Sequence, residues 1–329
     1  MENQILTSWL VTGGCGFIGR NLIRSLQRAG GHTIFVYDNR SVAGPESLEQ
    51  RPVRIASAND YNNADGCYFI EGDIRDTSEL LKIVAQVDVV VHLAANTGVA
   101  PSVNEPMLDC AANVIGTLNM LEFARTCGAK RFVFASSGAP LGEVDPPLSE
   151  TTLPRPVSPY GASKLSGEAY CSAYWRTFGL GTVALRFSNV YGPGSRHKSS
   201  AVAAFITNAL AARDVVIYGD GLQTRDFLYV GDLVEAITQA AVVPDIEGEI
   251  FQIATNTGTT VLQLVDLLAE LIEVKTGYKV SSRHEPARLG DVRFNFSDIS
   301  KARKTLGWEP KVKIKEGLEE TLSYFLELR

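Results

Sequence analysis

The fold of this chain is decided near its beginning, by the stretch Trp9-Leu10-Val11-Thr12-Gly13-Gly14-Cys15-Gly16-Phe17-Ile18-Gly19. The end of an apolar strand comes first, and the glycines lead into a helix expected from Arg20 to Arg28. Glycines at this spacing allow a tight turn, a close approach of the backbone to a pyrophosphate, and close packing of the helix on the strand. The helix N-terminus then offers free N–H groups to the anion. The stretch therefore predicts a dinucleotide site formed by Gly13, Gly16, Phe17, Ile18 and Gly19.

The next predicted strand, Thr33 to Tyr37, ends at an acidic residue, Asp38. A carboxylate at this place accepts hydrogen bonds from the ribose hydroxyls of adenosine and repels a 2′-phosphate. NAD is therefore favoured over NADP, with Asn39 assigned to the same site. Arg40 would suit a 2′-phosphate, so NADP stays open as the alternative.

Composition excludes several other classes of protein. The chain has 329 residues, 45% of them hydrophobic, and a net charge of −6, which argues against binding to nucleic acid. No stretch approaches the ~20 apolar residues of a membrane helix, so no membrane partner is expected. Five scattered cysteines without C-x-x-C spacing predict reduced thiols in a cytoplasmic protein, and four isolated histidines predict no metal site.

Strands and helices alternate through the first half of the chain. After a long polar connection, Asn39 to Gly66, strands are expected at Cys67–Glu71, Val87–Leu93 and Arg131–Ala135. The helices between them are expected at Asp76–Gln86 and Asn104–Cys127. Such alternation predicts an α/β Rossmann-type fold with a doubly wound parallel sheet. Ligands bind such sheets at the carboxyl ends of the strands, where Leu93, Ala94 and Ala95 leave room for a dinucleotide.

The rest of the chain is expected to form a smaller α/β lobe that binds substrate. The dinucleotide-binding domain is assigned to residues 1–178 and the substrate lobe to residues 179–329, interleaved because one strand, Gly181 to Arg186, returns to the main sheet. The remaining predicted elements are Ser199–Ala212, Val215–Tyr218, Gly231–Val242, Glu249–Ile253, Thr259–Lys275, Ile299–Leu306 and Lys315–Leu328.

Three residues carry the expected chemistry. Ser137 ends a strand, and Tyr160 and Lys164 share one face of a helix that runs to Phe178, because they are four residues apart. A tyrosine with its ordinary pKa of about 10 is a poor base at neutral pH. A nearby ammonium and a cationic nicotinamide ring would lower that pKa, which makes Tyr160 the expected base.

The chain resembles the extended short-chain dehydrogenase/reductase superfamily, in its NAD-dependent nucleotide-sugar epimerase/dehydratase branch. The resemblance rests on Gly13 to Gly19, Asp38, Gly72-Asp73-Ile74, His92-Leu93-Ala94-Ala95, Asn113, Ser137, Tyr160, Lys164, Arg186 to Pro193, Tyr218 to Phe227, and Arg288-x-Gly290-Asp291. It implies that Asp73 and Ile74 flank the adenine, that Lys164 also holds the nicotinamide ribose, and that Asn113 belongs to the cofactor site. It further implies that the nucleoside diphosphate of a substrate binds to Asn189, Arg225, Arg288 and Asp291.

Guanidinium groups suit a diphosphate because they bind its oxygens in pairs. Surface salt bridges are the alternative for both arginines, and Asp226 in particular stands next to Arg225 as a ready partner.

One departure from the family narrows the expected reaction. Relatives that remove water carry an Asp-Glu pair where this chain has Gly138 and Ala139, and decarboxylating relatives place a glutamate in this segment. The resemblance therefore implies an isomerase, a UDP-sugar 4-epimerase, which needs one base and a hydride acceptor. The alternatives are a 4-keto reductase, a dehydratase or decarboxylase, and a non-catalytic dinucleotide-binding protein. A homodimer through a helical bundle is also implied.

Asn295 is the residue expected to influence the choice of sugar. In the family, the position four residues after Asp291 borders the C2 substituent, and a tyrosine there limits its size. An asparagine would admit an N-acetyl group, so glucose, N-acetyl and uronate forms of a UDP-sugar are all candidates. The alternative is that Asn295 merely ends a short strand, Val292 to Phe296.

Overall fold

The computed structural model describes residues 7–50, 52–57, 60, 65–84, 86–198, 200–287 and 293–328. The chain divides into two compact units. Unit 1 comprises Met1–Gly142, Leu153–Arg186 and Val234–Phe251, and unit 2 comprises Glu143–Thr152, Phe187–Leu233 and Gln252–Arg329. The domain boundary expected from the sequence lies at residue 178. Residues 143–152, before that boundary, belong to unit 2, and residues 179–186 and 234–251, after it, belong to unit 1.

A sheet of eight strands dominates the described chain, in the order β12-β7-β6-β5-β1-β2-β4-β3. The strands are β1 Thr7–Thr12, β2 His32–Asp38, β3 Val53–Arg54, β4 Gly66–Glu71, β5 Val89–His92, β6 Arg131–Ser137, β7 Gly181–Phe187, β8 Asn189–Tyr191, β9 Val215–Tyr218, β10 Thr224–Arg225, β11 Phe227–Tyr229, β12 Glu249–Ile253, β13 Thr259–Thr260 and β14 Ser282–Glu285. The five pairings from β3 through β4, β2, β1 and β5 to β6 are parallel. The doubly wound α/β architecture expected from the sequence is confirmed.

Helices follow most of the strands. They are α1 Phe17–Ala29, α2 Ser78–Ile83, α3 Val99–Asn104, α4 Pro106–Cys110, α5 Gly116–Thr126, α6 Pro159–Phe178, α7 Ala201–Leu210, α8 Val230–Val242, α9 Val261–Thr276 and α10 Ile314–Glu327. A π-helical segment, Ala111–Ile115, joins α4 to α5, and a second one covers Ala302–Leu306. The N-terminus of α9 is capped by Thr260 in a reciprocal pair of hydrogen bonds with Gln263.

The helix expected from Asn104 to Cys127 begins two residues later, at Pro106, and contains a π-helical turn, because the chain is interrupted at Glu105. Glu105 has φ −133° and ψ 69°, outside the helical region, as a residue before proline tends to be. Helix α3 ends at this break, and α4, the π-helical segment and α5 follow it without a further interruption.

The chain changes direction across the sheet between β1 and β5. Strands β2 and β4 lie on one side of β1, while β5 and β6 lie on the other. In open α/β sheets such a reversal point leaves a crevice at the carboxyl ends of the strands. The loops that follow β1 and β5 meet there, since a Cβ on Gly13 would come within 2.8 Å of the Ala94 nitrogen.

Each unit has its own apolar core. In unit 1, α5 and α6 cover the sheet with buried side chains such as Met120 and Leu121. In unit 2, Leu264 and Leu268 of α9 pack with Leu318 and Leu322 of α10. Among the described residues, no helix combines the length and hydropathy that crossing a membrane requires. The described part of the chain likewise contains no cluster of three or more His, Cys, Asp or Glu able to hold a metal ion.

Candidate active site

The loop after β1 is shaped to receive a pyrophosphate. Gly13 adopts φ +67°, which disfavours residues with a side chain. A Cβ on Gly19 would lie 2.5 Å from the Gly13 oxygen and 2.6 Å from the Gly14 Cα. A Cβ on Gly16 would meet one described atom within 4 Å, the Gly13 oxygen at 3.1 Å. The loop is therefore closed on the helix side and open at Gly16, at the N-terminus of α1, which fits the phosphates of NAD.

Asp38 stands at the end of β2, beside this loop. One carboxylate oxygen accepts a hydrogen bond from the Cys15 N–H at 3.0 Å, and the other accepts from the Arg40 N–H at 2.8 Å. Burial raises the pKa of Asp38, while these two bonds act in the opposite direction. The Arg40 guanidinium pairs with Glu71 at 3.6 Å. Since this cation already has an anionic partner in the protein, Arg40 is less suited to bind the 2′-phosphate of NADP than the sequence alone suggested.

Asp73 and Asn39 lie together beside the end of β2. The Asn39 amide donates to Asp73 at 3.0 Å, and Arg75 donates to the same carboxylate through Nε at 2.9 Å and Nη2 at 2.8 Å. These donors hold the pKa of Asp73 well below its ordinary value. Ile74 is buried against the start of α5, because a Cβ on Gly116 would strike its side chain.

Helix α6 lies unusually close to β6 and to the segment after it. A Cβ on Gly161 would come within 2.6 Å of the Ala139 oxygen, and one on Gly167 would overlap the Phe134 ring. Ser158 caps the helix by accepting from the Gly161 N–H at 3.1 Å. The close approach brings Tyr160, in the first turn, near Ser137 at the end of β6, and this neighbour lowers the pKa of the phenol.

The three expected catalytic residues therefore meet in unit 1. Burial raises the pKa of Tyr160 to about 12, with the Ser137 hydrogen bond lowering it and the charge of Asp109 raising it. The expected lowering is not found in the protein alone, because desolvation outweighs the effect of Ser137 and the charge of Asp109 acts in the same direction as burial.

Lys164 is only 3% exposed, and its ammonium donates to the Ala135 oxygen at 2.9 Å. The ammonium also lies 5.0 Å from the centre of the Phe134 ring and 5.9 Å from that of Tyr160. Burial lowers the pKa of Lys164 to about 8, and Asp109 is the largest of the charges that oppose this. At neutral pH the ammonium form still predominates.

Asn113, at the centre of the π-helical segment, ties three parts of unit 1 together. Its amide nitrogen donates to the Asn96 oxygen at 2.9 Å, to Asp109 at 2.8 Å and to the Ser163 hydroxyl at 3.2 Å. Its amide oxygen accepts from the Asn96 N–H at 2.8 Å. Ser163 donates in turn to the Tyr160 carbonyl at 3.0 Å. Asn113 thus connects the loop after β5 with the catalytic turn of α6.

A buried ion pair lies further along α6. Glu168 accepts from Arg186 through Nε and Nη2, both at 2.8 Å, and from the Ser136 hydroxyl at 2.5 Å. Ser136 is the neighbour of Ser137, so this pair fixes the strand end that carries the catalytic hydroxyl. We refer to Ser136, Glu168 and Arg186 as the strand clamp.

Unit 2 contains a cavity of about 500 Å³ that brings two of the expected substrate residues together. Asn189 and Arg225 both line it, with Tyr218 and Phe205 among the aromatic side chains. One cationic and several apolar side chains in one cavity suit an anionic ligand with a flat ring. Sequence reasoning missed Tyr218, although it ends a predicted strand and lies in a motif that carried the resemblance.

Asp226, which the sequence offered as a partner for Arg225, accepts hydrogen bonds from other residues of unit 2. One carboxylate oxygen accepts from both the N–H and the hydroxyl of Thr255, at 2.8 and 2.7 Å, and the other accepts from the Ser297 N–H at 3.4 Å. Arg225 donates to the Thr224 oxygen at 2.7 Å.

Three further substrate residues were expected in the C-terminal part. Arg288 and Asp291 lie outside the described residues. Asn295 belongs to unit 2, and its backbone N–H donates to the Thr224 hydroxyl at 3.2 Å. Residues 293–296 do not form a strand. For these residues, the alternative that Asn295 merely ends a strand from Val292 to Phe296 is therefore wrong.

Comparison with known proteins gives a consistent result. Residues 9–254 match the model of the NAD dependent epimerase/dehydratase family. The UDP-glucose 4-epimerase of Mycolicibacterium smegmatis is 35% identical over 322 residues, which cover 96% of this chain and 97% of that protein. Among solved structures, the UDP-glucose 4-epimerase of Thermotoga maritima with UDP-glucose has a TM-score of 0.88 at 38% identity, covering 98% and 99% of the two chains.

A second structure is similar over the same length. The UDP-N-acetylglucosamine 4-epimerase of Methanobrevibacter ruminantium, in complex with UDP-N-acetylmuramic acid, has a TM-score of 0.87 at 30% identity and covers 98% and 99%. The glycine loop, the acidic strand end and the Ser137–Tyr160–Lys164 arrangement thus stand in a chain that matches these proteins from end to end. The chain belongs to the NAD-dependent epimerase/dehydratase family.

Proposed function

We propose that this protein is an NAD-dependent 4-epimerase of a UDP-sugar. The observation that carries the proposal is the meeting of Tyr160 with Ser137 and with the buried Lys164 ammonium, which lies 5.9 Å from the centre of the Tyr160 ring. NAD, when bound, supplies a reversible hydride acceptor and a positive charge near the phenol. Asp38 would hold its adenosine ribose, and the loop around Gly16 its phosphates.

The chain's own residues then have distinct tasks. Tyr160 takes the proton of the sugar 4-hydroxyl, and Ser137 hydrogen-bonds the same oxygen. Lys164 stays cationic and stabilises the phenolate. A positive charge beside Tyr160 is required, because the protein's own groups, burial first among them, raise its pKa to about 12. The 4-keto sugar must turn over within the site before it is reduced on its other face.

Gly138 and Ala139 support epimerisation over dehydration or decarboxylation. Gly138 has no described neighbour within 4 Å of the position of a Cβ, and neither residue can donate or accept a proton through a side chain. A 4-keto reductase would use the same three catalytic residues and usually takes NADPH, which Asp38 and the Arg40–Glu71 pair disfavour.

The cavity in unit 2 supports a nucleotide as the substrate handle. Arg225 and Asn189 would bind the diphosphate, and Tyr218 would lie against the base or ribose. UDP-glucose and its N-acetyl and uronate forms are the candidate sugars. The two similar epimerases described above act on UDP-glucose and UDP-N-acetylglucosamine.

The test is turnover of UDP-glucose, followed by separation of UDP-glucose and UDP-galactose. We expect the Tyr160→Phe variant to lose about 10²–10⁴-fold in rate while keeping NAD, measured after release by acid. Tyr170→Phe, an exposed tyrosine on the same helix, is the matched control and should remain active. Wild type without epimerase activity, or Tyr160→Phe with more than half of the wild-type rate, would contradict the proposal.

We also infer a cytoplasmic homodimer. The five cysteines are free thiols, as expected in a reducing compartment. Apolar side chains are exposed along α4, the π-helical segment and the end of α6, including Met107 at 80%, Ile115 at 48% and Phe178 at 53%. A second copy of this chain would cover them in a helical bundle. Sedimentation equilibrium should give twice the monomer mass for the wild type. The measured mass should be lower for Met107→Glu.

A further inference from the structure

Asp109 is a buried carboxylate to which the proposed mechanism gives no task. It lies in α4 and is 1% exposed. Its described hydrogen-bond donor is a neutral group, the Asn113 amide at 2.8 Å. A buried carboxylate is costly unless something compensates its charge, so its position near the catalytic turn calls for a partner.

The hydrogen bonds around Asp109 lead directly to the reacting pair. The Asn113 amide that donates to Asp109 also donates to Ser163 at 3.2 Å, and Ser163 immediately precedes Lys164. Ser163 donates to the Tyr160 carbonyl as well. Asp109 is therefore two hydrogen bonds away from the turn that holds both Tyr160 and Lys164.

The other ionisable groups near Lys164 are neutralised in different ways. Glu168, on the same helix, is paired with Arg186 of β7 at 2.8 Å. Burial lowers the pKa of His92 on β5 to about 3, so this imidazole is neutral, and burial raises the pKa of the Cys171 thiol far above its usual range. Among the described groups that face Lys164, Asp109 is thus the carboxylate without a cationic partner of its own.

We propose that Asp109 is a positioning residue whose charge balances the Lys164 ammonium and so sets the pH range in which the Tyr160–Lys164 pair works. The proposal rests on the proposed function, since it takes these two residues as the reacting pair. The negative charge keeps Lys164 protonated to higher pH and at the same time makes the Tyr160 phenolate harder to form. Both effects move the pH range of activity upward, because an anion raises the pKa of each neighbour.

The test is the pH dependence of kcat for wild type and Asp109→Asn. Activity needs the phenolate form of Tyr160, which sets the acid limb, and the ammonium form of Lys164, which sets the alkaline limb. We expect both limbs to move to lower pH by about one unit in the variant. A purely structural role for Asp109 would lower kcat without moving both limbs in the same direction.

Two further variants serve as controls. Asp109→Glu keeps the charge and should restore the wild-type limbs. Glu122→Gln removes one negative charge from α5, where Glu122 pairs with Arg125 at 2.7 Å, and should leave both limbs in place. Limbs that stay fixed in Asp109→Asn, or that move equally in Glu122→Gln, would overturn the proposal. Asp109→Ser, a small neutral replacement, takes the place of Asp109→Asn if that variant fails to fold.

A second readout does not depend on turnover. The protein with its bound NAD, grown with ¹³C-labelled lysine, allows the Lys164 side chain to be titrated by NMR, with Lys164→Met identifying the resonance. Its midpoint should fall by about one unit in Asp109→Asn, and an unchanged midpoint would refute the inference. If wild type shows no epimerisation, the proposed function fails, while this titration still decides the role of Asp109.

Discussion

The strand clamp offers the sharpest test of how the catalytic strand end is held. Glu168 and Arg186 are each 2% exposed in their side chains, and two N–H donors of the guanidinium meet the two carboxylate oxygens. The third nitrogen, Arg186 Nη1, is buried with no hydrogen-bond partner. The pair is therefore the only compensation that this guanidinium has among the described residues.

The perturbation is Glu168→Gln, which keeps the volume and removes the charge. The amide oxygen can still accept from Ser136 or from Arg186 Nε, but the amide nitrogen then faces Arg186 Nη2, donor against donor. Removing one partner from a buried ion pair typically costs about 3–5 kcal/mol. Since each kcal/mol corresponds to about 2–4 °C in a domain of 150–250 residues, we expect the thermal midpoint to fall by roughly 10 °C.

The assay is thermal unfolding followed by circular dichroism, with urea unfolding as a second measure. Glu122→Gln breaks an exposed ion pair with Arg125 and should cost less than about 1 kcal/mol. The double variant Glu168→Leu/Arg186→Met removes both charges and should recover most of the loss. The reasoning is refuted if Glu168→Gln unfolds within 2 °C of wild type, or if the double variant is as unstable as the single one.

Three further outcomes are expected. Asp38→Ala should weaken the binding of NAD and reduce the preference for NAD over NADP, which titration with both dinucleotides measures. An unchanged ratio of the two affinities would show that Asp38 does not bind the ribose. Gly16→Ala should lower NAD affinity without lowering the thermal midpoint, because the added Cβ meets one protein atom at 3.1 Å and otherwise fills the space of the phosphates. Asn295→Tyr should reduce turnover of UDP-N-acetylglucosamine relative to UDP-glucose. The same ratio of the two turnover rates in wild type and variant would show that Asn295 does not influence the choice of sugar.

The sheet could be predicted from the sequence because its signals are local. Buried apolar runs marked β5 and β6, and the glycine fingerprint with Asp38 marked the ends of β1 and β2. The parallel, doubly wound arrangement followed from the alternation of strands and helices, which leaves few ways to wind such a sheet. The expected end of the catalytic helix, Phe178, is the end of α6, which begins at Pro159, one residue before Tyr160.

Other parts carried no such signal or carried one that was overlooked. Strand β8 pairs with β11, and β9 pairs with β14, through short segments far apart in the chain. Such pairs depend on tertiary contacts rather than on local pattern. The break at Glu105 was announced by Pro106, whereas the π-helical segment has no sequence signature. Asp109 was missed because an acidic residue four positions before Asn113 looks like any polar position on a helix.

The π-helical segment also fixes how changes in chain length would act here. In a regular α-helix a step of four residues turns the side chain about 40° past a full circle, so Asp109, Asn113 and Thr117 would drift around the axis. The wider turn at Ala111–Ile115 absorbs that drift, and all three side chains are buried. Deleting one residue from this turn would leave a regular helix in which Asp109 and Thr117, then seven residues apart, still share one face to within about 20°. We therefore expect a single-residue deletion here to fold with Asp109 and Thr117 still facing inward, so any loss of activity would come from the contacts of the residue that was removed.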